Sequence, residues 1–418
     1  MSVDDDDVMT TTVEAVRGEA LSLALSNATC HDASSTESQF VFASELLAFN
    51  NWYKHYHGYL AAIVCLLGTI ANVFNIVVLS QRNMFSATNC ILTGLAISDG
   101  LTMIAYLPFA LRFYVLYGTE QTPERNSLPA VRFLLFYACF SVVVHTVSIW
   151  LTVTLATFRY ILIKHPRQAA QLCTLDRAKM TVLLVYVVSL VVCIPNFTTI
   201  NVQGDEETKC PEQHQHQLLY DPQSGNSSTT TADVAVIWVV RFKQTTETDR
   251  FLYSFNFWIQ ALLVKLLPCV GLTFLSVLLV RTMRRADARR QTLRLSSSRS
   301  YSSQRGSRDR EAPRIRLTNR TTRMLLVVVC LFLVTELPQG VINLLSGICH
   351  NFVDEVYLNL GDLSDILALT NNGINFILYC TMSKQFRDSF IQVFKVSKTT
   401  SGPHRMVRMR RAHVRNII

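Results

Sequence analysis

The chain has 418 residues, 50% of them hydrophobic and 17% charged, with a net charge of +9. So low a charged fraction excludes a string of ordinary soluble domains, which carry about 25%, and the apolar content excludes intrinsic disorder. An entirely lipid-facing chain is excluded as well, because 39 Lys and Arg must reach water. The charge is therefore segregated along the sequence.

Residues 1–56 read as an acidic, mostly disordered tail, with nine acids, including the run Asp4 to Asp7, against Arg17 and Lys54. The start MSVDDDDVM lacks the apolar core of a cleavable signal, so the first apolar segment is expected to act as an uncleaved anchor. Seven apolar segments follow, at about 59–79, 91–111, 133–158, 180–202, 251–280, 324–349 and 356–383. Each reaches the roughly 20 residues that a helix needs to cross about 30 Å of hydrocarbon. Barrel strands would be shorter and would alternate. The expected fold is an all-α membrane protein, a bundle of seven transmembrane helices spanning 57–395.

The connectors carry the orientation. Segment 281–323 holds fourteen Arg against three acids, and 381–418 holds nine Lys or Arg against Asp388 alone. Basic flanks mark the cytoplasmic face, so the N-terminus is expected outside and the basic tail 396–418 inside. The positive charge then belongs to the bilayer surface and not to nucleic acid. The loop 284–316 carries Ser296, Ser297, Ser298, Ser300, Ser302, Ser303 and Ser307 among its arginines. Disorder is its default; phosphorylation by a kinase and consequent arrestin binding is the functional reading. The outer loop 203–250 is too long for a passive connector. Val234 to Phe242 reads as a strand, so a hairpin lid is expected there. Asn27-Ala-Thr and Asn226-Ser-Ser are sequons in outer segments. Cys30, Cys210 and Cys349 lie where oxidation is allowed; they allow one disulfide and one cysteine left over, and the sequence does not select the pair.

The informative residues are the polar ones that hydrocarbon should reject. Asp99, Lys265, Glu336, Asp362 and Asp365 fall inside the apolar segments, with His145 titratable beside them. Each costs about 2.5 kcal/mol or more at the bilayer centre unless it faces the bundle interior. Helical spacing turns them inward: His145, Ser148, Thr152 and Arg159 form one stripe on the third segment, and Glu336, Gln339 and Asn343 another on the sixth. Asp362, Asp365, Asn372 and Asn375 align on the seventh, with Asn371 beside them. Such a seam suits a receptor interior, a channel or a transporter. No internal repeat and no filter-like stretch is present, so the receptor is favoured, with a seven-helix transporter as the alternative. No enzymatic constellation appears.

The seam residues resemble the rhodopsin-like G-protein-coupled receptors across about 55–395. The first segment has Gly68 and Asn72, and the second Leu95-Ala96-Ile97-Ser98-Asp99. Phe158-Arg159-Tyr160 is similar to the family's acid-Arg-Tyr motif with Phe for the acid, and Asn375-Phe376-Ile377-Leu378-Tyr379 to Asn-Pro-x-x-Tyr with Phe for Pro. Pro195, Pro268 and Pro338 stand at kink positions, and Phe386, Arg387 and Phe390 suggest a short amphipathic eighth helix. Thr335-Glu336-Leu337-Pro338-Gln339-Gly340 and Asp362-Leu-Ser-Asp-Ile-Leu-Ala-Leu further resemble invertebrate myosuppressin and FMRFamide-related peptide receptors.

The resemblance implies the remaining roles. Asp99, Ser148, Asn371 and Asn375 would hold an allosteric sodium ion; the alternative is a hydrogen-bonded network around a neutral Asp99. Ile149, Pro268 and Phe332 match a packing switch, while Arg159 and Tyr379 would line the cavity that receives a heterotrimeric G protein. Lys265 and Glu336 lie at similar depth near the prolines of adjacent segments and are expected to form a buried ion pair; the alternative has Lys265 snorkelling separately. The ligand would be a peptide ending in Arg-Phe-amide. Its guanidinium would seek Asp365, then Asp362, with Glu336, Gln339 and His145 deeper, and its aromatic end would rest among Tyr106, Phe113, Phe136 and Tyr137. Two departures stand out. Leu134 replaces the usual disulfide cysteine, leaving Cys139 a turn deeper as a further candidate partner of Cys210, and Val185 replaces the usual Trp of the fourth segment.

Overall fold

The structure, a computed structural model, describes residues 42–120, 122–206, 236–243, 246–299, 311–346, 348 and 352–396. Asn27, Cys30, Cys210, Asn226, Cys349, the serines from Ser300 to Ser307 and the tail beyond 396 lie outside the described residues.

Among the described residues, seven long helices form the bundle. Helix α1 spans Ala43–Leu79, α2 Ala87–Ala110, α3 Leu128–Lys164 and α4 Leu175–Val192. Helix α5 runs Glu247–Trp258, passes through a π-helical stretch Ile259–Leu266 and continues as Leu267–Arg299. Helix α6 spans Glu311–Ser346, α7 Leu358–Met382, and the short α8 Lys384–Val396 closes the fold. Among the described residues, six helices are long and apolar enough to cross a membrane by themselves. The exception is α7, whose 25 residues suffice in length but include Asp362, Asp365, Asn371, Asn372 and Asn375.

Local chemistry sets the helix ends. Ser86 caps α2 by accepting the backbone N–H of Asn89 at 3.1 Å, and Thr174 does the same for α4. Thr246 and Asp249 form a capping box at the start of α5. Pro129 stands in the first turn of α3, where its missing N–H is no loss. Arg387 of α8 donates to the carbonyls of Cys380 and Thr381 at the end of α7, at 2.8 and 3.0 Å. Phe386 and Phe390 turn the apolar face of α8 onto Phe376.

Two expectations are corrected. Residues 43–56, read from the sequence as part of the tail, are helical: α1 starts at Ala43, its first turns steadied by Phe49 stacked on Tyr53 and by Asn50 donating to Asn359 of α7. The fourth helix does not reach residue 202. After Val192 a short turn of helix, Ile194–Thr199, gives way to strand β1, Ile200–Glu206. The run Thr198 to Val202 is rich in β-branched residues, which favour extended chain. Strand β1 pairs antiparallel with β2, Val236–Phe242, in the register Ile200↔Phe242 to Glu206↔Val236.

The bundle packs α1 against α2 and α7, α2 against α3 and α4, and α6 against α5 and α7. Glycines allow the closest approach: a Cβ at Gly58 would overlap Tyr114, and one at Gly68 would overlap Met103. Gly58→Ala is therefore expected to cost about 1–3 kcal/mol through overpacking. The check is the thermal midpoint of the detergent-solubilised protein, which should fall; an unchanged midpoint would contradict so tight a contact.

Candidate functional site

The bundle holds its polar residues in three tiers between the hairpin end and the α8 end. In the middle tier, Lys265 of α5 donates from Nζ to Glu336 Oε2 at 3.0 Å and to Gln339 Oε1 at 2.7 Å, both on α6. The same Nζ lies 2.8 Å from His145 Nε2 of α3. One imidazole nitrogen cannot both accept from the Lys265 ammonium and donate to the Glu336 carboxylate, so the role of Nε2 follows the tautomer. Glu336 is 1% exposed and lies 3.1 Å from the same imidazole nitrogen. The π-helical stretch explains how Lys265 reaches inward. Pro268 would crowd the carbonyl of residue 264 in a regular helix, and a wider turn relieves that contact.

In the tier toward α8, Asp99 of α2 accepts hydrogen bonds from Ser148 Oγ of α3 at 2.8 Å and Asn375 Nδ2 of α7 at 3.0 Å. Ser98 joins through a 2.7 Å contact with Ser148. A small cavity touches Asp99, Ser148, Asn371 and Asn375 and extends to His145 and Glu336, so the two tiers share one space. A carboxylate, a hydroxyl and amide oxygens are the donor set of a hard cation, and Asp99, Ser148, Asn371 and Asn375 bring these groups to one small cavity. These residues fit a sodium ion.

Further toward α8, Ile149, Phe332 and Tyr379 are buried in one core cluster, with Phe158 packed against it. Pro268 is buried on α5, whereas Pro338 faces outward from α6. Lys164 donates to the hydroxyl of Tyr160 at 2.5 Å. No hydrogen bond or ion pair joins Arg159 to another described residue.

The tier at the hairpin end contains the α7 carboxylates. Tyr106 of α2 donates to Asp365 Oδ2 at 3.0 Å. Tyr114, in the π-helical extension Leu111–Leu116 of α2, donates to Asp362 Oδ1 at 2.5 Å. Tyr137 stacks on Phe109 at 4.7 Å and meets Tyr106 edge-on. The expected aromatic group is thus divided. Phe136 is corrected out of it: the ring is 59% exposed on the outer surface of α3, stacked on Phe140, while its neighbour Tyr137 is 1% exposed. One helical step turns a side chain by about 100°, so adjacent residues cannot share a pocket wall. Phe113 faces the hairpin, with the Arg125 guanidinium 5.2 Å above its ring. Burial pushes that guanidinium down to about 10.

Leu134, standing where the disulfide cysteine was expected, lines the space beneath the hairpin with Phe113, Trp238 and Val240. The lid is also tied down by backbone: Trp238 N–H donates to the carbonyl of Asn126 at 3.1 Å. Cys139 is buried on α3, its Sγ 3.9 Å from the carbonyl of Asn196. Sequence reasoning passed over Tyr114 and His57. The latter lies at the tail boundary, and its helical spacing from Tyr53 was the available signal.

The serpentine-type seven-transmembrane G-protein-coupled receptor model, described as chemoreceptor Srw, matches residues 59–397. The chain is 33% identical over 370 residues to the G-protein coupled receptor dmsr-1 of Caenorhabditis elegans, covering 83% of this chain and 70% of that one. It is 29% identical over 342 residues to the sex peptide receptor of Drosophila melanogaster, covering 81% and 72%. Identity to the FMRFamide receptor of the same fly is 23% over 346 residues, covering 81% and 53%. These similarities set aside the transporter alternative. A seven-helix bundle with an inward polar seam, matched by this model over most of its length, belongs to the serpentine G-protein-coupled receptors, which are receptors and not enzymes.

Proposed function

We propose that the protein is a plasma-membrane receptor for an amidated neuropeptide of the myosuppressin or FMRFamide type, ending in Arg-Phe-amide. The N-terminus and hairpin face the outside, and α8 and the basic tail face the cytoplasm, following the distribution of Lys and Arg. The observation that carries the ligand reading is the pair of buried α7 carboxylates, Asp362 and Asp365, at the hairpin end. A guanidinium forms two charge-assisted hydrogen bonds to such a group, which gives both energy and geometry. Asp365 takes the peptide arginine and Asp362 supports it. Tyr106 and Tyr137 offer the aromatic wall for the terminal phenyl ring, and Glu336, Gln339 and His145 form the polar floor. The FMRFamide receptor among the relatives supports this choice of ligand.

Sodium held by Asp99, Ser148, Asn371 and Asn375 would stabilise one state of the bundle. In the other state Ile149, Pro268, Phe332 and Pro338 repack, and the end bearing Phe158, Arg159, Tyr160 and Tyr379 admits the G protein. Receptor kinase and arrestin then act on the serine-rich loop. Competition binding with a panel of amidated peptides tests the ligand reading. Peptides ending in Arg-Phe-amide should bind, and replacing their arginine by neutral citrulline should weaken them at least tenfold. Equal binding of both forms would remove the carboxylate–guanidinium contact.

A further inference from the structure

Asp362 and Asp365 stand three residues apart on α7 and each accepts a hydroxyl from the α2 side, from Tyr114 and Tyr106 respectively. Both tyrosine rings converge on one residue of α1. His57 Nε2 lies 2.8 Å from the Tyr106 oxygen, and the His57 and Tyr114 ring centroids are 4.8 Å apart. His57 is 0% exposed. The next residue, Gly58, has no Cβ, which lets Tyr114 lie directly against α1.

Proton accounting fixes the direction of this chain. A phenol has one proton, and that of Tyr106 goes to Asp365, so the imidazole must donate from Nε2 into the phenol oxygen. A neutral imidazole protonated at Nε2 presents its lone pair at Nδ1, and the Tyr53 hydroxyl lies 3.4 Å from that atom. The donors therefore run Tyr53 to His57 to Tyr106 to Asp365, from α1 through α2 to α7. Each link holds the next in one orientation.

We propose that His57 is a positioning residue for ligand specificity: it locks the Tyr106 hydroxyl, and through it the plane of the Asp365 carboxylate, for a planar guanidinium. This rests on the reading that Asp365 takes the peptide arginine. A carboxylate held in one plane favours the two-pronged arginine head over the compact ammonium of lysine. A carboxylate free to rotate loses that preference.

The test is arginine-over-lysine selectivity. Binding of Phe-Met-Arg-Phe-amide and of Phe-Met-Lys-Phe-amide is measured on membranes holding the full chain, with surface expression matched. The variants are His57→Phe, His57→Gln, Tyr106→Phe and Asp365→Asn. His57→Phe and Tyr106→Phe should each weaken the arginine peptide about tenfold, the effect of one charge-assisted hydrogen bond, and the lysine peptide less than about twofold. His57→Gln retains an N–H donor and should retain most of the selectivity. Tyr106→Phe loses one oxygen and keeps its ring, so it reports on the chain even where His57→Phe fails to reach the surface. Equal weakening of both peptides, or of neither, would overturn the positioning role. If Asp365→Asn abolishes arginine binding while Tyr106→Phe and His57→Phe are silent, the positioning role alone fails. If Asp365→Asn is silent, the ligand reading fails and the inference with it.

Discussion

Lys265→Met and Glu336→Gln are each expected to destabilise the receptor by about 3–5 kcal/mol, because each leaves one buried charge without its partner. Glu336 is almost wholly buried, and Lys265 gives it the nearer of its two cationic or titratable contacts, at 3.0 Å against 3.1 Å from His145. A loss of that size is a large part of the stability of an ordinary domain, so surface expression should collapse in both single variants. The double exchange Lys265→Glu with Glu336→Lys should recover part of it. Recovery will be incomplete for a stated reason. Gln339 Oε1 accepts from Lys265 and His145 Nε2 lies 2.8 Å from the same ammonium; facing a carboxylate, the amide must turn over and the imidazole must present an N–H. A double variant no better expressed than the worse single one would show that the two charges are solvated separately.

Asp365→Asn is expected to reduce the affinity for an arginine-containing amidated peptide by about a hundredfold. Truncating one member of a buried, hydrogen-bonded charge pair costs about 2–5 kcal/mol, and about 2.7 kcal/mol corresponds to that factor. Asparagine preserves the volume and can still accept the Tyr106 hydroxyl, so folding should survive. The citrulline analogue, which carries no charge, should lose little. Similar losses for the arginine and citrulline peptides would instead place the guanidinium elsewhere. Asp362→Asn should have a smaller effect on the same measurement.

The membrane-embedded architecture was legible in the sequence because hydrocarbon imposes so strong a constraint: backbone must be helical and apolar wherever lipid surrounds it. The polar residues were legible for the same reason, since Asp99, Lys265, Glu336, Asp362 and Asp365 had to face inward or be excluded. Helix limits were not, because hydropathy stops where water begins and helices do not. Helix α1 starts at Ala43 and α5 continues to Arg299, well beyond their apolar segments. Strand β2 was visible as the run near Val236, but its partner β1 was hidden behind an apolar stretch that suits either state. Partners across the bundle were least legible. The spacing of Lys265 and Glu336 from their prolines suggested similar depth, yet His145 and Gln339 joined them only through the packing of three helices. Tyr114 reaches Asp362 through a π-helical extension that ordinary helical periodicity does not anticipate.

The central claim is that peptide binding at the hairpin end drives G-protein exchange at the α8 end. Guanine-nucleotide exchange on a purified heterotrimeric G protein, with the full chain in reconstituted membranes, measures it directly. Exchange should rise on adding Phe-Met-Arg-Phe-amide and stay near its peptide-free rate in the Asp365→Asn variant at the same concentration. An exchange rate in the unaltered receptor that no Arg-Phe-amide peptide changes, at saturating concentration and across G-protein classes, would contradict the account.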